Sequence, residues 1–272
     1  MLPKDKTWLI DFNLQDVAVT SGLPVPDEAS AAILDVSVED LRAYVAAAKG
    51  EVANAADELR TANPVVGQLI EKLRGVRRVL AIGDSITTYR YSYARMLAHL
   101  MSGAEFMNRG YSGYTSTHGL ELTYTQFLAL EPDLVFIMYG VNDCKIFGEP
   151  GKKSRKTLVS LEEFRVNIAA IVEAFRRHTR ARIVLMTPTP VVVTTTNRLR
   201  EFSKIHLSWQ NHDLKARAQL CREVSAQFQT DFVDLYKAFG DVPDASLYLL
   251  DGLHPNIDGQ QQILLTIAWA LT

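Results

Sequence analysis

Cysteine is scarce in this chain: Cys144 and Cys221 are the only two among 272 residues. So few cysteines do not indicate the disulfide framework of a small secreted domain, and they are typical of a protein from a reducing compartment. Long apolar runs are also lacking, because no segment approaches the roughly 18 uncharged apolar residues of a membrane-spanning helix. These absences argue against a disulfide-rich domain and against integral membrane association.

An excess of charge of either sign is absent as well. The chain has 29 Lys and Arg against 31 Asp and Glu, which gives a formal net charge of −2. Such a balance argues against nucleic acid as a partner. Residues 1–15 place Lys4, Asp5, Lys6 and Asp11 among short apolar pieces and lack the apolar core of a secretory signal. We therefore expect a cytoplasmic protein.

Apolar residues are plentiful, at 47% of the chain, and from about Arg78 they form short runs between longer amphipathic stretches. The runs that predict buried strands are 79–82, 104–107, 134–138, 183–186 and 231–234. The stretches that predict helices are 91–101, 119–130, 161–178 and 213–229, and the third follows a capping box, Ser160-Leu-Glu-Glu163. This alternation predicts an α/β fold with a parallel sheet, which binds ligands at the carboxyl ends of its strands.

The first 75 residues have a different pattern. Segment 36–73 predicts two or three helices with a break near Asn63-Pro64, whereas residues 1–35, with Pro24 and Pro26, are expected to be mostly irregular. We predict two units: an N-terminal helical extension over residues 1–75, packed on the core, and the main domain over residues 76–272. The extension either only packs on the core, or forms the dimer surface of a homo-oligomer or part of the acyl pocket. The sequence leaves these alternatives open.

A serine follows the first predicted strand, in Gly83-Asp84-Ser85-Ile86. A turn there exposes the hydroxyl at the carboxyl end of the strand, and the next helix begins with free N–H groups that suit an anionic oxygen. Asp and Ser are also ordinary turn and capping residues. Alone, the motif therefore does not distinguish a nucleophile from a helix cap.

An Asp precedes a His by three residues near the other end of the chain, in Asp251-Gly-Leu-His254-Pro255. At this spacing the carboxylate can reach the imidazole Nδ1–H, which fixes the tautomer and stabilises the imidazolium formed when Nε2 accepts a serine proton. A surface turn can have the same spacing, so this motif too is ambiguous by itself.

Two further blocks follow predicted strands. Asn108-Arg-Gly110-Tyr-Ser-Gly113 has glycines that permit close backbone approach and unusual backbone angles, and Gly140-Val-Asn142-Asp143 follows the most apolar strand. An Asn amide, a Gly N–H and the serine N–H together would offer three donors to an oxyanion, each worth about 2.7–4 kcal/mol of transition-state stabilisation. Taken singly, each block is also compatible with an ordinary loop.

In this order, and each at a strand end, the four blocks resemble those of the SGNH (GDSL-type) hydrolases. The family is named after four residues, which here would be Ser85, Gly113, Asn142 and His254. The resemblance covers about residues 78–272 and implies a flavodoxin-like, three-layer α/β/α fold with a central parallel five-stranded sheet. The mostly helical N-terminal extension lies outside it.

The resemblance also implies a site. Ser85, Asp251 and His254 would form the catalytic triad of a two-step acyl transfer, with Ser85, Gly113 and Asn142 as the oxyanion hole. Neither a metal nor an organic cofactor is implied, and the six-residue separation of His206 and His212 matches no zinc-ligand spacing. Segment 191–213 is either a lid or acyl-binding wall, or an ordinary surface connection.

We therefore expect a carboxylic ester hydrolase whose partner is a small-molecule ester. A short acyl group is favoured because no long apolar stretch suggests an interfacial lipase lid, and an O-acetyl group on a carbohydrate is one candidate. Lysophospholipase- or thioesterase-type hydrolysis by the same triad stays open. So does a non-catalytic binding module that keeps the fold.

Overall fold

The computed structural model describes residues 2–12, 25–148, 152, 155–202 and 207–272, without the side chains of residues 199–202. In chain order, the strands are β1 (Arg78–Gly83), β2 (Glu105–Gly110), β3 (Leu134–Met138), β4 (Ile146–Phe147), β5 (Lys156–Thr157), β6 (Arg182–Met186), β7 (Leu207–Ser208) and β8 (Asp231–Val233). The α-helices are α1 (Lys4–Phe12), α2 (Asp27–Leu34), α3 (Val38–Ala62), α4 (Pro64–Lys72), α5 (Ser85–Thr88), α6 (Tyr93–Leu100), α7 (Ser116–Leu122), α8 (Leu161–His178), α9 (Val193–Phe202), α10 (Asn211–Phe228), α11 (Leu235–Phe239) and α12 (Ile257–Leu271).

Five strands form one parallel sheet in the order β2-β1-β3-β6-β8. They correspond to the five apolar runs that the sequence predicted as strands. An order in which the second strand lies outside the first, and the others follow on the far side, is that of flavodoxin-like folds. The predicted fold class is therefore confirmed.

The strands are apolar on both faces, because successive side chains point to opposite sides of a sheet. Val79 and Ala81 of β1 lie in one buried cluster, together with side chains of α3, α4, α6 and α12. Leu80 and Ile82 lie in a second cluster, with side chains of α8 and α10. The sheet is thus the middle of three layers.

The N-terminal segment is more helical than the sequence predicted. α3 and α4 confirm the predicted helices and the break at Asn63, but the expectation that residues 1–35 are mostly irregular is wrong for the described residues, which form α1 and α2. Ile10, Leu34 and Leu41 pack together in a small cluster of their own. Such short helices are stable because of these distant contacts rather than because of local propensity, which is why the pattern of residues 1–35 did not show them.

Smaller features surround the carboxyl edge of the sheet. β4, β5 and β7 form an antiparallel sheet in the order β5-β4-β7.

The two histidines whose spacing matched no zinc site are not seen together. His206 lies outside the described residues, whereas His212 lies on the surface, with its Nε2 3.5 Å from Asp213 Oδ1. Among the residues described, no helix combines the length and the apolar character needed to cross a membrane.

Candidate active site

Ser85 is the first residue of α5 and follows β1 after a single residue. That residue, Asp84, caps the helix, because its carboxylate accepts a hydrogen bond from the Ile86 N–H at 3.0 Å. Ser85 is buried, with 5% of its surface exposed. The turn thus holds the hydroxyl at the carboxyl edge of the sheet.

Two hydrogen bonds connect Ser85, His254 and Asp251. Ser85 Oγ lies 2.8 Å from His254 Nε2, and His254 Nδ1 lies 2.5 Å from Asp251 Oδ2. When Nδ1 carries its proton toward the carboxylate, Nε2 has a lone pair that can accept the hydroxyl proton. The geometry is that of a nucleophile, a base and a carboxylate that orients the base.

Asp251 is held in its ionised form. Burial acts to raise its pKa, but the hydrogen bond and charge of His254, followed by the backbone N–H groups of His254 and Leu253, bring the pKa below its usual value. The second carboxylate oxygen accepts both N–H groups, at 3.1 and 2.9 Å. The carboxylate is therefore fixed toward the imidazole.

Segment 191–213 supports two loops of the site. The Val192 N–H donates to the Gly252 carbonyl at 2.8 Å, and the Thr196 hydroxyl donates to the Asp251 carbonyl at 3.1 Å. On the other side, the Trp209 indole donates to the Val141 carbonyl at 2.9 Å, next to Asn142. The segment thus borders the site, and its function as a lid or acyl-binding wall stays a prediction.

Gly113 and Asn142 lie beyond the ends of β2 and β3, the strands on either side of β1. Gly113 has a φ of +81°, a backbone conformation that favours glycine, so the expected unusual angle is confirmed. Asn142 is buried, and its amide donates to the Tyr114 carbonyl at 3.0 Å. Within the described residues the second N–H of that amide has no acceptor.

Gln260 was not singled out by the sequence, yet it connects the two halves of the site. Its Oε1 accepts a hydrogen bond from the Tyr93 N–H at 2.9 Å, and its Nε2 donates to the Ile86 carbonyl at 3.3 Å. It lies on α12, which follows the His254 loop, and it is completely buried. No local pattern marks it, because Gln is usually a surface residue.

Asp84 is a second buried polar group beside the serine. Burial, with a smaller contribution from the charge of Asp143, raises the pKa of Asp84 to about 7, although the hydrogen bond from the Ile86 N–H and the charge of His254 act to lower it. This carboxyl group is therefore partly protonated near neutral pH. In the sequence it was only one part of a common turn motif.

The N-terminal helix α1 reaches the same place. The Phe12 ring lies 4.6 Å from the His254 ring, between centroids, and stacks on Tyr89 at 4.6 Å. The Trp8 ring lies 5.4 Å from His254, edge to face. The sequence left open whether the extension contributes to a pocket, and the geometry puts two of its aromatic rings against His254.

The family model of the GDSL-like Lipase/Acylhydrolase family matches residues 81–262, a range that contains all four blocks. The chain belongs to this family. The resemblance to SGNH (GDSL-type) hydrolases is thereby confirmed.

Similar proteins include esterases from animals and plants. The human isoamyl acetate-hydrolyzing esterase 1 homolog is 29% identical over 205 residues, which are 71% of this chain and 80% of the relative. The rat homolog is 30% identical over 189 residues, 65% of this chain and 74% of the relative. A GDSL esterase/lipase from Arabidopsis thaliana is 27% identical over 213 residues, 71% and 84% of the two chains. The prediction of a carboxylic ester hydrolase is thus confirmed.

Solved structures share the fold at lower identity. An acetylxylan esterase from Geobacillus stearothermophilus has a TM-score of 0.56 and 22% identity, and the match covers 72% of this chain and 94% of that one. An α/β hydrolase enzyme from the metagenome of Lake Arreo, Spain, has a TM-score of 0.56 and 23% identity over the same shares of the two chains. At this identity the likeness shows the common fold alone.

Proposed function

We propose that the chain hydrolyses esters of short acyl groups, acetate first, through an acyl-enzyme formed on Ser85. The observation that carries this proposal is the hydrogen-bonded chain from Ser85 Oγ through His254 to Asp251. Its three side chains lie at the carboxyl edge of a parallel sheet, where such folds bind their ligands.

In the first step, Ser85 Oγ attacks the ester carbonyl carbon, and its proton passes to His254 Nε2. Asp251 stabilises the imidazolium, since its lowered pKa keeps it charged. The carbonyl oxygen becomes an oxyanion, which the N–H groups of Ser85, Gly113 and the Asn142 side chain would receive. The proton then passes to the leaving oxygen, the alcohol departs, and the acyl group stays on Ser85.

In the second step, a water molecule takes the place of the alcohol. His254 Nε2 accepts a proton from the water, whose oxygen attacks the acyl carbon. The tetrahedral intermediate collapses, the proton returns to Ser85 Oγ, and the carboxylic acid is released. The enzyme is thereby restored without a metal or cofactor entering the steps.

The acyl preference is supported by the relatives. The human, mouse and rat relatives are named as homologs of an isoamyl acetate-hydrolyzing esterase. An O-acetylated carbohydrate is also an acetate ester, but its alcohol is larger than isoamyl alcohol. Isoamyl acetate and an O-acetylated carbohydrate have the acetyl group in common, and acetate is therefore the expected acyl group.

Replacing Ser85 by Ala tests the mechanism. We expect turnover of p-nitrophenyl acetate to fall by at least about 10³-fold, because no other group can take the acyl chain. Ser102→Ala, at an exposed serine after α6, is the matched control and should keep full activity. Full activity in Ser85→Ala would refute the proposed nucleophile.

The acyl preference has its own measurement. We expect kcat/KM to fall along the series of p-nitrophenyl acetate, butanoate, octanoate and dodecanoate. A rise along the series would instead favour the lysophospholipase-type alternative. Faster hydrolysis of acetyl thioesters than of matched acetate esters would favour the thioesterase.

A further inference from the structure

The aromatic residues of α1 line the outer side of the catalytic histidine. Trp8 and Phe12 contact each other, with ring centroids 4.4 Å apart, and both contact the His254 ring. The Ser85 hydroxyl and Asp251 contact the two nitrogens of the same ring. His254 is therefore enclosed by its catalytic partners and by a helix from the N-terminal extension.

The two aromatic rings differ in exposure. Phe12 is 1% exposed and is covered by Tyr89, so it fills space behind the imidazole. Trp8 is 40% exposed, although it touches the same imidazole. Trp8 is thus a large aromatic side chain, partly exposed to solvent, beside a reactive group. Its exposed apolar surface can bind a ligand.

Polar contacts hold α1 in this position. The Asp11 carboxylate accepts hydrogen bonds from the Tyr44 hydroxyl at 3.0 and 3.1 Å. The Arg90 guanidinium donates to the Ile10 carbonyl at 2.8 Å, and the Arg90 N–H donates to the Asp11 carbonyl at 3.0 Å. Because Arg90 follows α5 closely, these bonds connect the helix directly to the serine turn.

The chemistry fixes which part of the ester lies near Trp8. His254 Nε2 gives its proton to the leaving oxygen, so the alcohol part of the ester must leave from beside the imidazole. The acyl carbonyl oxygen instead points to the N–H donors at the ends of β2 and β3. A ring next to the imidazole is thus closer to the alcohol than to the oxyanion.

We propose that Trp8 binds the alcohol part of the substrate, and that this alcohol presents a hydrocarbon face large enough to cover an indole ring. A branched or aromatic alcohol and the C–H face of a sugar ring both meet this description. The proposal rests on the acyl-transfer mechanism above. It gives the N-terminal extension a direct part in substrate selection.

The experiment varies the alcohol and the acyl group independently. Methyl acetate, benzyl acetate, methyl butanoate and benzyl butanoate are hydrolysed by the full chain and by Trp8→Ala, and acid release is measured by pH-stat titration. We expect Trp8→Ala to lower kcat/KM about tenfold for both benzyl esters and less than twofold for both methyl esters. Trp8→Phe should keep most of the activity on benzyl esters, since it retains a flat ring.

Leu9→Ala is the matched control, because Leu9 is 42% exposed on the same helix. It should leave all four rates unchanged. Isoamyl acetate and an O-acetylated methyl xyloside then distinguish the two kinds of alcohol: whichever loses rate in Trp8→Ala is of the kind that Trp8 binds.

Three outcomes would overturn the proposal: an equal loss on all four esters, a loss that follows the acyl group, or no loss at all. An equal loss would mean that Trp8 only positions His254. The proposed function fails separately, if the unchanged chain hydrolyses none of the esters or if a fluorophosphonate does not label Ser85. The two failures are therefore distinguishable.

Discussion

Gly110, the last residue of β2, packs so closely against the serine turn that a side chain there would displace the turn. A Cβ atom at this position would lie 2.5 Å from the Thr88 nitrogen and 2.9 Å from the Asp84 carbonyl oxygen. Next to it, the Asn108 amide accepts from the Gly110 N–H at 3.0 Å and donates to the Thr87 carbonyl at 2.7 Å. The end of β2 is thus packed directly on the backbone of α5.

Replacing Gly110 by Ala should therefore displace α5. We expect a loss of about 1–3 kcal/mol in the free energy of unfolding, because the added methyl meets backbone that cannot rotate away. Activity should fall as well, since Ser85 begins the displaced helix. Urea unfolding and p-nitrophenyl acetate turnover measure the two effects.

Gly103→Ala is the control for this variant. A Cβ at Gly103, just before β2, would have no neighbour within 4 Å. Its stability and activity should match those of the unchanged chain. Equal stability of Gly110→Ala and the unchanged chain would contradict the packing argument.

At the residue scale, the sequence predicts a functional side chain where its partners lie within a short motif. Asp251 and His254 are three residues apart, so a local turn is enough to predict their contact. The functions of Gln260 and Trp8 depend on Ile86 and His254, which are distant in the sequence, so no pattern around either residue could reveal them.

At the scale of elements, α1 is held by a buried carboxylate. Burial, with a smaller contribution from the charge of Glu51, raises the pKa of Asp11 to about 6, although the hydrogen bond from Tyr44 and the charges of Arg90 and Arg95 act to lower it. The folded chain therefore binds a proton at Asp11 more tightly than the unfolded chain does. Stability should fall as pH rises from about 4 to about 6.

The variant Asp11→Asn isolates this effect. Relative to Asp11→Asn, the unchanged chain should lose at most about 3 kcal/mol of unfolding free energy between pH 4 and pH 6, with little change above. Urea unfolding at intervals from pH 4 to pH 8 measures the difference. Asp5→Asn, at an exposed position of the same helix, should give a profile parallel to that of the unchanged chain. If the stability of Asp11→Asn changed with pH in parallel with that of the unchanged chain, Asp11 would not be the group responsible for the pH dependence.

Helices and strands were predictable where apolar residues recur at a regular spacing along the chain. The bounds of α8 agree with the predicted stretch 161–178, and Ser160 caps it by accepting from the Glu163 N–H at 3.1 Å. The Glu163 carboxylate, however, accepts from the Thr117 hydroxyl at 3.0 Å, a contact that a local motif cannot foresee. The two-residue strands β4, β5 and β7 are too short to show any periodicity.

For the whole molecule, the described part of the N-terminal extension is not uniform. Val52, Leu59, Val66, Leu69 and Leu73 belong to the same buried cluster as α12 and one face of the sheet. Ile10, Ala31 and Leu34 belong to the separate small cluster, which is completed by Leu41. All 75 residues were predicted as one extension because they precede the predicted strand–helix alternation and lie outside the family resemblance.

Two truncations test this division. A chain of residues 76–272 should fail to unfold cooperatively, because each buried Val or Leu that it loses contributes about 1.5–3 kcal/mol and total stabilities are only about 5–15 kcal/mol. A chain of residues 36–272 should fold, since it keeps α3 and α4. Far-UV circular dichroism during urea unfolding compares the two, and a cooperative transition in residues 76–272 would show that the two predicted units are independent.

The position of the reactive pair along the chain has a consequence for biosynthesis. Ser85 and His254 are 169 residues apart, and α12, which follows His254, packs against α4 near the beginning. A nascent chain therefore carries Ser85 long before His254, its proposed base, has emerged from the ribosome. Under the proposed mechanism, the Ser85 hydroxyl becomes a nucleophile only after the His254 loop has been synthesised and has folded against it.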